Sequence, residues 1–266
     1  MIIDFHTHAF PDKIAKRTIE HLEAITVENT PMHAHTDGTV DSLRSVLRRG
    51  GVDLGIVMPI CTRDGQSDSI NRFAEGIRSD GLLSFGSVFP YQKDRLEVIN
   101  DLALRGFKGI KLHPEYQDCE IDSDECAEII GKAEELGMYV TVHAGYDPAY
   151  KAPFRCTPQK IAELLKRVSG RNLILAHLGS QGMWEEVLDI LCGRDIYFDT
   201  AALFGNITPE TYKRVIEKHG ADKILFASDC PWEDPADSLK LLCSFKLSNE
   251  EYELITHKNA ERLLKL

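Results

Sequence analysis

Short apolar runs recur along the 266-residue chain, separated by longer stretches in which apolar residues return every three to four positions. The short runs read as strands over Ile2–Phe5, Leu54–Met58, Leu83–Phe89, Gly109–Leu112, Tyr139–His143, Leu173–Ala176, Ile196–Phe198 and Ile224–Ala227. In SDECAEIIGKAEELG the residues Cys126, Ile129, Ile130, Ala133 and Leu136 form one helical stripe, and in TPQKIAELLKRV so do Ile161, Leu164, Leu165 and Val168. Such stripes need a sheet to cover them. Thr157, Thr208 and Asp234 each precede a proline, the pairing of a side-chain acceptor with a residue that lacks an N–H at a helix start. Gly137 and Gly220 stand where helices should stop.

Eight strand-then-helix units without hairpin signals between them predict an all-parallel sheet, and eight is the number that closes a (β/α)8 barrel. The rival is an open doubly wound sheet, whose nucleotide-binding versions carry a glycine-rich fingerprint after the first strand; this chain has none there. The length suits a single domain over 1–266. Residues Pro11 to Ile25 read as a helix, whereas TVENTPMHAHTDGT (26–39) is polar, rich in turn formers and without an apolar period. It is expected as a loop insertion after strand one, on the active-site face of a barrel, either as a solvated loop or as a lid.

Composition narrows the functional classes. A net charge of -11 argues against nucleic acid as a partner. No apolar run approaches the roughly 18–20 residues that span a membrane. The start MIIDF lacks the basic and long apolar regions of a secretory signal, so a cytoplasmic address is expected. The seven cysteines are scattered, with no CxxC pair, as in a reduced cytosolic protein. The expected partner is a small-molecule substrate, with neither nucleic acid nor membrane involved; a homodimer is compatible with the sequence.

Candidate chemistry sits where strands end. Residues i and i+2 of a strand share a face, so His6 and His8 in IDFHTH project side by side, spaced for one metal ion. The pair alone is weak evidence. YVTVHAG, LILAHLG and ILFASDCPW place His143, His177 and Asp229 at the same point of later strands, and a parallel barrel gathers all such ends on one rim. Each alone could cap a helix or bind a loop carbonyl, but the five together read as a site. Their nitrogen and oxygen donors suit zinc, manganese, iron or cobalt rather than calcium.

In GIKLHP, Lys111 and His113 alternate with Ile110 and Leu112 and face the interior if the apolar pair faces the helices. A salt bridge to a carboxylate is expected for Lys111, and a substrate contact or loop support for His113. Asp199, after the seventh strand, is read as a helix cap or an orienting group for a ligand, with the cap preferred. Trp232 is close enough to Asp229 to line the pocket. Arg63 and Arg155 are read as surface arginines, His33 and His35 as loop residues outside the site, and His21, His219 and His257 as structural.

These motifs resemble the amidohydrolase superfamily, which carries HxH after strand one, His after strands five and six, and Asp after strand eight of a (β/α)8 barrel. IDFHTH, TVHAG, LAHLG and FASDCPW match in that order. FKGIKLHP and ITHKNAERLLKL resemble the branch containing aminocarboxymuconate-semialdehyde decarboxylase, related aromatic-acid decarboxylases, lactonases and many metal-dependent hydrolases. The resemblance implies that His6, His8, His143 and Asp229 hold one divalent metal, zinc being the first choice. It implies that Asp229 and His177 are catalytic; Lys111, His113 and Trp232 are the substrate-contact candidates that their positions beside these groups offer. A second metal, with His177 as a ligand, is the less favoured version, as is a carboxylated Lys111. A metal lowers the pKa of its water from 15.7 towards about 7. The expected activity is hydrolysis of a small ester, lactone or amide. Non-oxidative decarboxylation of a small unsaturated or aromatic acid is the alternative, and a non-enzymatic ligand-binding barrel is the alternative from another class.

Overall fold

The computed structural model describes residues 1–203 and 207–266. Eight strands alternate with helices: β1 (Ile3–Thr7), β2 (Leu54–Val57), β3 (Leu82–Ser84, resuming as Gly86–Ser87 after Phe85), β4 (Gly109–Leu112), β5 (Tyr139–Val142), β6 (Leu173–Leu175), β7 (Tyr197–Asp199) and β8 (Ile224–Leu225). Each pairs in parallel with the next. The ring closes where Phe5 N donates to Phe226 O at 2.8 Å and Asp229 N to His6 O at 2.9 Å, with a parallel bridge between Thr7 and Cys230. This is the predicted (β/α)8 barrel. Among the described residues no helix is long and apolar enough to cross a membrane.

Alternation along the strands sorts two cores. Ile110 and Leu112, Val140 and Val142, and Leu173 and Leu175 pack outward against helices such as Asp124–Glu135, whose Cys126, Ile129, Ile130 and Ala133 are buried as their stripe predicts. Ile3, Phe5, Ile56, Met58, Phe85, Ile174 and Leu225 fill the lower interior, and Ala260, Leu263 and Leu264 of the terminal helix Asn259–Leu264 pack against them. Phe85 fits because β4 begins with glycine: a Cβ on Gly109 would lie 2.4 Å from the Phe85 ring. The upper interior is polar.

Thr157, Thr208 and Asp234 accept backbone N–H groups as N-caps, each with proline in the first turn. Gly137 and Gly220 have positive φ. The helix predicted through Val168 ends at Leu164, where the backbone tightens and Lys166 and Arg167 donate three residues back. β8 stops short of Ala227 because the Thr200 hydroxyl takes over the bonding there, donating to Ala227 O and accepting from Ala227 N. Helix Asp12–Thr26 and an irregular segment to residue 39 follow β1.

Candidate active site and metal centre

The register of β1 is irregular between Asp4 and Thr7. Phe5 therefore joins Phe85 in the lower apolar layer while the next residue, His6, enters the polar layer above it. The carboxylate of Asp4 fixes this turn of the chain, accepting from His6 N at 3.3 Å, Ser228 N at 3.0 Å and the Ser228 hydroxyl at 2.5 Å. Asp4 thus ties the residue before Asp229 to the first histidine. Burial pushes its carboxyl up to about 7, against the stabilising hydrogen bonds from Ser228.

Carbonyl and carboxylate acceptors settle the histidine tautomers. His8 Nδ1 lies 2.9 Å from Met58 O, and His6 Nδ1 lies 2.9 Å from Asp199 Oδ2, so each Nδ1 carries the hydrogen and each Nε2 presents a lone pair, that of His6 facing Lys111 Nζ at 2.9 Å. Burial, with Lys111 beside it, holds His6 neutral, its pKa well below the ordinary 6.5. Asp229 Oδ1 lies 3.1 Å from His8 Nε2 and 3.4 Å from His6 Nε2. Burial works against the charge on Asp229, but His6, His8 and His177 outweigh it and hold the carboxyl below the usual carboxylate range. Lone pairs this close repel unless a proton or a cation lies between them. Three of them within 4.8 Å of one another form a donor set for a divalent ion. Two nitrogens and one oxygen, leaving further positions open, are the ligand count of a catalytic zinc-type site.

His177 Nδ1 donates to Ala201 O at 2.9 Å, so its Nε2 accepts, and the donor it faces at 2.9 Å is His143 Nδ1–H. His143 Nε2 is then bare, buried and without a hydrogen-bond partner. Burial first, then His113 and His177, pushes His143 well below 6.5. His143 stacks on His113 with ring centroids 4.1 Å apart, and both offer Nε2 towards Asp147 Oδ2, at 3.8 Å and 3.4 Å. Of the four residues the resemblance implies as ligands, His6, His8 and Asp229 form one set, while His143 falls in this second set with His113 and Asp147. Tyr116 N donates to His113 Nδ1 at 3.4 Å, which leaves the His113 hydrogen on Nε2, directed at Asp147.

Lys111 departs from its expected salt bridge. It is fully buried, and its Nζ lies 2.9 Å from His6 Nε2. Burial lowers its ammonium to about 8, while the nearby charges of Asp199 and Asp229 oppose the shift. Asp199 does not cap a helix as preferred from the sequence; the next helix is capped by Thr208. Its Oδ1 accepts from His177 N and Ala201 N, both at 3.0 Å, and its Oδ2 holds His6 Nδ1, so one buried carboxylate orients two histidines. His177, Leu178, Ala202 and Asp229 all have positive φ, backbone strain concentrated at the rim.

Above these groups lies a cavity of about 1100 Å³, lined by His6, His8, Lys111, His113, His143, His177, Asp229 and Trp232. His21, read as structural, and His33 and His35, read as loop residues outside the site, border it as well. The reason is the 26–39 segment, which crosses the mouth: Asn29 Nδ2 donates to Pro148 O at 2.8 Å, Thr30 Oγ meets Tyr146 OH at 2.8 Å, and His35 N donates to Pro231 O at 2.7 Å. Arg155 points away into ion pairs with Glu115, Asp118 and Glu120, and the exposed Arg63 lies outside the lining. His219 is structural as expected, stacked on Phe198 and donating to Ile196 O. Asp4 and Asp147 were missed from the sequence. The polar residue inside the apolar run IIDF was a usable signal for Asp4; Asp147 stands in a loop whose path only the fold defines.

No curated protein matches this sequence. Among solved structures, 2,6-dihydroxybenzoate decarboxylase complexed with 2,6-dihydroxybenzoate is 15% identical, with a TM-score of 0.72 over 100% of this chain and 99% of that one. An uncharacterised TIM-barrel protein from Bordetella bronchiseptica is 15% identical at TM-score 0.75, covering 99% and 98% of the two chains. A protein provisionally assigned as a 2-pyrone-4,6-dicarboxylic acid hydrolase, from Acinetobacter baumannii with citric acid bound, is 16% identical at TM-score 0.67, covering 100% and 99%. At these identities the likeness is one of fold. The sequence itself carries the membership: the amidohydrolase family model matches residues 3–266, and the chain belongs to that family of metal-dependent enzymes.

Proposed function

We propose that the protein is a metal-dependent hydrolase of a small-molecule ester, lactone or amide. The observation that carries this reading is the convergence of three donor atoms, His6 Nε2, His8 Nε2 and Asp229 Oδ1, at the floor of a large cavity. These residues would hold one divalent ion, zinc by preference and manganese, iron or cobalt by the same donor chemistry. When bound, the ion supplies Lewis acidity to a carbonyl oxygen and makes a neutral-pH nucleophile of water.

The remaining work falls to the chain's own side chains. Asp229, kept ionised, accepts a proton from the attacking water as the new C–O bond forms, and returns it to the leaving group as the old bond breaks. Asp199 fixes the His6 tautomer and the His177 backbone. His177 holds His143 with Nε2 bare at the cavity wall, placed to take part in substrate or metal binding. His113, Lys111 and Trp232 border the space where the carbonyl would sit.

Hydrolysis is preferred to the decarboxylase reading because no arginine lines the cavity among the described residues, and Lys111 is already engaged with His6. A substrate acid would have to rely on the metal alone for charge compensation. The test is a parallel screen of zinc- and manganese-loaded protein against esters, lactones and amides, with product acid measured, and against aromatic acids, with carbon dioxide measured. Metal-dependent release of product acid supports the proposal; carbon dioxide release without hydrolysis of any neutral compound overturns it.

A further inference from the structure

The cavity is larger than the chemistry at its floor requires. Its volume of about 1100 Å³ stands at the upper end of ordinary small-molecule sites, which run from about 300 to 1,000 Å³. The helix Asp12–Thr26 supplies much of one wall and carries a broad apolar arc, only part of which is buried. Ala15 and Ile19 are buried against the protein. Ile14, Leu22 and Ile25, along the neighbouring edge of the same helix, line the cavity instead. Ile14 is 38% exposed, and Leu22 and Ile25 are only half-buried. Ile70 and Phe73 of the helix Ser67–Gly76, and Trp232 just beyond Asp229, line the same space and are likewise half-buried.

An apolar edge left facing open space is costly unless something apolar covers it, and clustered exposed apolar side chains mark binding surfaces. This cluster shares one cavity with the three metal donors, so whatever covers it is held beside the reacting carbon. Charge points the same way. Among the described lining residues Lys111 is the one cation, engaged with His6, whereas Asp147, Asp229, Glu233, Asp234 and Asp237 are carboxylates. A substrate carboxylate lying along the wall would lose its water without gaining a cationic partner.

We infer that this wall, formed by Ile14, Leu22, Ile25, Ile70, Phe73 and Trp232, is the binding surface for the long apolar body of an uncharged ester or lactone. The substrate class is therefore lipophilic neutral carbonyl compounds rather than small acids. The inference rests on the hydrolase reading for its reaction, but not for its binding prediction.

Two measurements on the zinc-loaded protein separate the two. In the first, a series of methyl ketones from butanone to 2-dodecanone, which cannot be hydrolysed, is titrated by calorimetry. Affinity should rise about fourfold per added methylene over the first several carbons, and analogues ending in a carboxylate should bind at least tenfold more weakly than neutral ones of equal length. In the second, kcat/KM is measured for acetate to decanoate esters of one phenol. Leu22→Ser and Phe73→Ser should each lower kcat/KM for decanoate about tenfold more than for acetate, mostly through KM, with thermal melting as the check on folding. A flat chain-length dependence in the unmodified protein, or carboxylates bound as tightly as neutral ketones, overturns the inference. Length-dependent ketone binding with no ester or lactone turned over leaves the wall standing and sinks the hydrolase reading. Hydrolysis of short esters with a flat series does the reverse.

Discussion

The floor and the wall of the cavity are built on opposite principles. On the floor every reactive side chain is buried or nearly so and held by a named partner: His6 by Asp199, His8 by Met58 O, His177 by Ala201 O, His143 by His177. On the wall the side chains of Ile14, Leu22 and Ile25 are partly open and border the cavity. Geometry with tight tolerances is placed on strand ends, where the barrel fixes the backbone; shape that can vary with substrate is left to a helix and loop inserted after β1. A substitution on the floor should therefore act on metal and rate, and one on the wall on selectivity.

The largest effect is expected from Asp229→Asn. It removes a donor and the proton acceptor together, and activity should fall by about 10²–10⁴-fold, with metal content by elemental analysis falling alongside. Retained metal with lost activity would make Asp229 a proton carrier that the ion does not need. Asp199→Asn should come next. An amide offers one acceptor oxygen where His6 Nδ1–H and two backbone N–H groups all donate, so metal affinity should weaken by about 10- to 100-fold in chelator competition. An unchanged affinity would remove Asp199 from the floor's design.

Lys111 sharpens the comparison from the other side. Its ammonium sits on the His6 lone pair that a metal needs, so Lys111→Met should raise metal affinity, by about tenfold given a unit charge removed from a partly screened site. A loss of metal instead would show that Lys111 is a ligand after carboxylation. The pH dependence of the metal-free protein checks the same residue. Burial holds Lys111 at about 8 against an ordinary 10.5. Between those values the unfolded chain keeps a proton that the folded chain has released, so stability rises with pH across that window. The rise is on the order of 3 kcal/mol at most, and urea denaturation at pH 7.5 and 10 should show it disappearing in Lys111→Met. The smallest effects belong to the wall, where Leu22→Ser and Phe73→Ser should shift chain-length selectivity and leave metal content alone.

The same division decided what the sequence could reveal. His6, His8, His143, His177 and Asp229 were legible because each interrupts an apolar run at its end and a parallel barrel brings those ends together. The eight strands were legible for the same reason, to within one or two residues at their ends. Partnerships were not. That Lys111 would meet His6 rather than a carboxylate, that Asp199 would orient His6, and that His143 would sit with His113 and Asp147 all depend on sub-ångström placement within the rim. The wall was hidden more thoroughly, since Ile14, Leu22 and Ile25 have the same helical spacing as residues that pack into a core. His33 and His35 were set aside because no strand surrounds them, yet the loop that carries them is drawn across the mouth by its contacts with Pro148, Tyr146 and Pro231.

The central claim is that His6, His8 and Asp229 form a metal site, and the metal content of the protein purified without chelators tests it most directly. About one equivalent of zinc or another divalent transition metal is expected, retained through gel filtration and lost in a His6→Ala/His8→Ala variant that still melts cooperatively. Less than about a tenth of an equivalent in the unmodified protein, even after zinc or manganese is added, would contradict it.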